Sequence, residues 1–132
     1  MDVRLILLVA LGGAVGSVAR YLLGSAVQEL SSRPDFPLGT LCVNVVGCFV
    51  IGMVSELAES RSLITPETRA LLVVGFLGGL TTFSSFSNET MNLARDSDFK
   101  LMALNIGLQL GLGLGAVWLG RAAVVWFWRA LP

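Results

Sequence analysis

The chain has 132 residues, of which 55% are hydrophobic and 14% charged, a balance that excludes an ordinary soluble domain. Its length fits one domain over residues 1–132. Net charge is zero and histidine is absent, which excludes a basic face for nucleic acid, the commonest general base and the usual near-neutral pH switch.

A bilayer span needs roughly 20 mostly apolar residues, and four stretches meet that need. The first covers Val3 to Leu30. Its apolar run continues through Leu23 with no small-residue cleavage site, so it reads as a retained span rather than a signal peptide. Gly12, Gly16 and Gly24 fall at multiples of four, with Arg20 completing the series. Such a stripe lets helix backbones approach closely. Arg20 is the only basic residue well inside this span. A charge at that depth faces a cavity or a partner, unless it snorkels to the interface. The expected role is a positive funnel for anions.

The second span covers Gly39 to Glu56. Asn44 stands early in it, with Gly47 one turn on. An amide supplies two donors, which suit either a dehydrated anion or a bond to a neighbouring helix. Cys42 and Cys48 are about 9 Å apart along one helix, too far for a disulfide between them, and read as apolar fillers.

The third span covers Pro66 to Leu93, with Thr65 as N-cap and Pro66 at the first helical position. Its centre reads Gly75-Phe-Leu-Gly-Gly-Leu-Thr-Thr-Phe-Ser-Ser-Phe-Ser-Asn-Glu-Thr90. Gly75, Gly78 and Gly79 weaken a helix, and Thr81, Thr82, Ser84 and Ser85 compete for its backbone bonds. A break at membrane depth is tolerated only inside protein or beside a wet cavity, and it frees carbonyls and amides that hold ions. Phe83 and Phe86 share a helix face among Thr82, Ser84, Ser85 and Ser87. Aromatic ring edges are positive and accept an anion's approach. Glu89 follows the break and is expected in a vestibule, pairing with an arginine or shaping entry. Asn88-Glu89-Thr90 matches a glycosylation sequon, but its membrane position argues against that use.

The fourth span covers Phe99 to Trp126, with Trp126, Trp128 and Arg129 as an interfacial anchor. Asn105 and Gln109 share one face, as donors along a path or as bonds between helices. Gly107, Gly111 and Gly115 form a second small-residue ladder, open to a partner in the same chain or another.

Four spans place both termini on one side. That side carries Arg4, Arg61, Arg69, Arg121 and Arg129, against Arg33, Arg95 and Lys100 opposite. The bias is weak under the positive-inside rule, and insertion in both orientations is the expectation. Four short helices enclose little volume, so an oligomer is expected as well.

The third-span motif resembles the broken third helix of the small fluoride channels, the Fluc or CrcB family. Gly12-Gly-Ala-Val-Gly-Ser-Val-Ala-Arg-Tyr21 is similar to that family's first-helix motif, and Pro37-Leu-Gly-Thr-Leu-Cys-Val-Asn-Val-Val-Gly47 to its second. The resemblance covers nearly the whole chain. It implies an all-α membrane protein, an antiparallel dual-topology homodimer of four-span chains in a bacterial inner membrane, exporting fluoride passively. It implies that Phe83 and Phe86 line the path, that Asn44 donates to fluoride, and that Thr82, Ser84 and Ser85 lie along it. Arg20 then stands by the entrance, and the carbonyls of Gly78 and Thr81 from both chains hold one structural sodium ion. The fourth helix departs from the family, since Asn105 and Gln109 stand where hydroxyls are usual.

Two other functions compete. A four-span drug exporter needs an acid within the first helix, where this chain has Arg20, with Asp2 and Glu29 only near the ends. A membrane scaffold leaves the polar break unexplained. Without histidine no nucleophile–base pairing stands out, so an enzyme is not expected.

Overall fold

The computed structural model describes residues 2–61 and 64–130, and of Ser60 and Arg61 the backbone alone. Ser62, part of the expected second loop, lies outside the described residues, as does the side chain of Arg61. Among the described residues every regular element is helical. Helix α1 is Val3–Leu30, α2 is Leu38–Arg61, and α3 covers residues 66–80. Helix α4 is Phe83–Arg95 and α5 is Phe99–Ala130. Four stretches are long and apolar enough to cross a membrane: Val3–Leu30, Leu38–Glu59, Pro66–Arg95 and Phe99–Ala130. The second and fourth outrun the sequence expectation, because the charged residues at their ends continue the helix.

Thr65 caps α3 as its sequence predicts, with Oγ1 accepting from the Thr68 amide at 3.2 Å and Pro66 in the first turn. The helix then widens into a nine-residue π-helix over Arg69–Leu77 before a last turn at Gly78–Leu80. Long π segments are rare and cluster at functional sites. This one lies against α1 backbone to backbone. A Cβ on Gly12 would collide with the Leu71 carbonyl, and one on Gly16 with that of Phe76. From the other side, a Cβ on Gly79 would come within 2.6 Å of the Gly13 carbonyl.

A second close pair joins α2 and α5. Here Gly52 meets the Val117 carbonyl and Gly120 that of Phe49. Arg121 clamps the same pair, donating from Nη1 and Nη2 to both Glu59 oxygens at 2.9 and 2.8 Å. The two pairs meet where Gly39 faces the backbone of Gly24. Gln28 ties that corner, donating to the Phe36 carbonyl at 3.1 Å and accepting from the Gly39 amide at 3.1 Å.

One expectation is corrected, and one open alternative narrows. The glycines of the third span do not break it, since none has positive φ and the chain stays helical through Leu80. The break falls at Thr81 and Thr82, both extended, at φ −85°, ψ 156° and φ −151°, ψ 112°. Gly75 and Gly79 serve close approach to α1 instead. The ladder of Gly107, Gly111 and Gly115 packs on nothing in this chain: a Cβ at each meets open space. On α5 the buried glycines are Gly113 and Gly120.

Candidate ion pathway

The break is held from α2. Asn44 Oδ1 accepts from the Thr82 amide at 2.8 Å, and Asn44 Nδ2 donates to the Thr82 carbonyl at 3.2 Å. One side-chain amide thus pairs both backbone groups of the extended residue, as a neighbouring strand would. Buried backbone groups need such partners. Asn44 Nδ2 also donates to Gln109 Oε1 on α5 at 3.1 Å. The bond to a neighbouring helix, one of the two readings of Asn44, is therefore present.

Thr82 restarts the helix. Its Oγ1 accepts from the Ser85 amide at 3.1 Å and forms a hydroxyl cluster with Ser84 at 3.2 Å and Ser85 at 3.1 Å. Just beyond, the rings of Phe83 and Phe86 stand 5.5 Å apart, tilted by 58°. Phe83 is 78% exposed, one of many large apolar side chains that this single chain leaves uncovered.

Two cavities share Thr82. The larger, about 660 Å³, is lined by Arg20, Gln28, Thr40, Thr82, Ser85 and Glu89 among others. The smaller, about 380 Å³, is lined by Asn44, Gly78, Thr81, Thr82, Phe83, Phe86 and Gln109 among others. A charged antechamber therefore adjoins an aromatic, amide-lined chamber at the break. Ser84 lines neither of the two.

Glu89 lines the larger cavity, and its hydrogen-bond partner is Thr40 rather than an arginine. Oε1 accepts from Thr40 Oγ1 at 2.6 Å, while the buried Oε2 has no partner. Thr40 was not singled out from sequence, although it stands one turn before Asn44 on the same face of α2. Arg20 Nη1 reaches back to the Thr81 carbonyl at 3.4 Å, so its guanidinium points to the break rather than away from it.

The two polar residues of α5 separate. Asn105 is 0% exposed and donates from Nδ2 to Thr90 Oγ1 at 2.9 Å, and Thr90 Oγ1 donates to the Phe86 carbonyl at 2.7 Å. It braces α4 from behind the ring. Gln109 lies on the cavity wall.

The Gly78 carbonyl is left open by this arrangement, because the Thr82 amide that would close the turn onto it goes to Asn44. Gly78 is also exposed. Such a carbonyl is a hard oxygen ligand of the kind that holds alkali ions. Among the described residues no cluster of His, Cys, Asp or Glu offers an alternative metal site. Gly78 therefore fits a bound cation. A carbonyl has two lone pairs, so at Thr81 a cation would share the oxygen with Arg20.

The four spans thus enclose a polar break, an aromatic pair and an open carbonyl at Gly78. The family model described as "CrcB-like protein, Camphor Resistance (CrcB)" matches residues 7–121. The chain is 49% identical over 118 residues to a protein of Geobacter sulfurreducens named fluoride-specific ion channel FluC, covering 89% of this chain and 94% of that one. Proteins of the same name from Shewanella sp. (strain ANA-3) and Rhizobium etli are 48% and 47% identical, covering 90% and 88% of this chain and 94% and 92% of theirs. The chain belongs to the CrcB-like family. These relatives are named as channels, not as enzymes.

Proposed function

We propose that this protein is a fluoride-selective channel that lets the anion leave the cell down its electrochemical gradient. The observation that carries the reading is the chamber at the break, lined by Phe83 and Phe86 together with the amide pair of Asn44 and Gln109. Ring edges and amide protons are both positive. They suit a small anion that has shed part of its water. Arg20 draws the anion into the antechamber, and the hydroxyls of Thr82 and Ser85 border the passage, with Ser84 behind them in the same hydroxyl cluster. Relatives named fluoride-specific channels support the choice of ion.

The working unit is an antiparallel homodimer in a bacterial inner membrane. A chamber with Phe83 on its open side lacks a wall, and a second copy supplies it. At the centre, the carbonyls of Gly78 and Thr81 from both chains hold one structural sodium ion. Bound there, sodium neutralises carbonyl ends that a dry interface would otherwise leave unpaired. Replacing sodium with N-methylglucamine lowers the thermal denaturation temperature of the purified dimer, and an unchanged temperature removes sodium from the proposal.

The deciding experiment is fluoride efflux from proteoliposomes, read by electrode with valinomycin-mediated potassium efflux balancing charge. Rapid fluoride release with little chloride release is expected. A well-folded protein that releases no fluoride overturns the function.

A further inference from the structure

We infer that, within the amide pair at the break, it is Gln109 Nε2 that presents the free hydrogen-bond donors to the permeating anion. The inference rests on the fluoride-channel reading above and names the group that does the work there.

The orientation of the pair follows from one backbone amide. The extended Thr82 N–H needs an acceptor, and only an oxygen serves, so Asn44 turns Oδ1 to it at 2.8 Å. Asn44 Nδ2 then faces the Thr82 carbonyl at 3.2 Å and Gln109 at 3.1 Å. Two NH₂ groups face to face make no bond, so Gln109 must present Oε1 to Asn44. Its Nε2 is turned the other way. That nitrogen is buried and has no hydrogen-bond partner. Both Asn44 protons are engaged, whereas both Gln109 Nε2 protons are free.

An orphaned buried donor is costly and calls for an explanation. Gln109 lines the cavity that also holds Phe83 and Phe86. A pair of N–H groups with no acceptor beside them, next to aromatic rings, is complementary to a small anion and not to a cation. The nearby Asn105 is the reverse case: its Nδ2 donates to Thr90, and it is its acceptor Oδ1 that has no partner. A backbone break on α3–α4 is thereby read out as a donor on α5, two side chains away.

The test compares two variants with the parent in the fluoride efflux assay, each checked for an unchanged elution profile. Gln109→Met keeps length but removes every polar atom. Gln109→Glu keeps the size and an oxygen for Asn44 Nδ2, and replaces the free donors by a second, negatively charged oxygen. Both are expected to slow fluoride efflux about ten- to a hundredfold, the worth of a hydrogen bond to a charged group. If Gln109→Glu conducts like the parent, Gln109 only ties α2 to α5 and the inference is overturned, whether or not Gln109→Met keeps its fold. A parent that releases no fluoride is a different failure: it removes the channel reading and this inference with it.

Discussion

At the scale of single residues the break is an exchange of partners. Asn44 takes over the bonds that a continuing helix would have given Thr82, and Gln109 is oriented in consequence. Asn44→Asp keeps an oxygen for the Thr82 amide but sets its second oxygen against the Thr82 carbonyl. Gln109 then turns Nε2 toward the new carboxylate and away from the cavity. Fluoride efflux should fall about tenfold or more, and parental efflux in this variant would detach the amide pair from conduction. Phe83→Ile keeps bulk but loses the positive ring edge. Efflux should drop by about tenfold, as expected for an interaction of this size, while the elution profile stays the same. Equal efflux from this variant and the parent would take the ring out of the path.

Between elements, glycine decides which helices touch. Gly16→Ala places a methyl group on the Phe76 carbonyl, and Gly120→Ala places one on that of Phe49. Both obstacles are backbone, so relief requires the helices to separate. Each substitution should cost about 1–3 kcal/mol in thermal or denaturant unfolding. Gly111→Ala meets nothing in this chain and should stay within about 0.5 kcal/mol. A loss at Gly111 as large as at Gly16 would show that a second chain covers that face. Sequence alone made the four spans, the Thr65 cap and the polar break legible, because hydropathy and capping are local signals. It did not reveal that Gly52 and Gly120 form the α2–α5 contact, since single glycines well apart in the chain carry no periodic signature. It also credited the break to Gly75, Gly78 and Gly79. The cause lies instead in a long-range bond, since Asn44 is 38 positions from Thr82. For the site, residue types marked Phe83, Asn44 and Gln109, but which amide protons remain free depends on the assembled bond pattern.

For the whole molecule, the open side of the chamber and the weak charge bias lead to one argument. An antiparallel pair needs chains of both orientations in the same membrane. Arg4, Arg61, Arg69 and Arg129 stand at the terminal side and Arg33, Arg95 and Lys100 at the other, with Arg121 drawn to Glu59. Orientation responds to lysines and arginines near span ends and little to acids, so the ion pair does not remove Arg121 from the count. Few substitutions should therefore commit the chain. Arg33→Gln with Lys100→Gln leaves positive charge chiefly on the terminal side, which then stays in the cytoplasm. Arg4→Gln with Arg69→Gln and Arg129→Gln leaves Arg61 and Arg121 against Arg33, Arg95 and Lys100, and so shifts the balance the other way. All five substituted side chains are exposed and none lines either cavity, so the chamber itself is untouched. In cells challenged with fluoride, each variant alone should lose most of its protective effect, and the two expressed together should restore it. Terminal tags should report one orientation for each variant and both for the parent. If either variant protects fully by itself with a single tag orientation, the functional unit is not antiparallel, and the missing wall of the chamber must come from a chain inserted the same way.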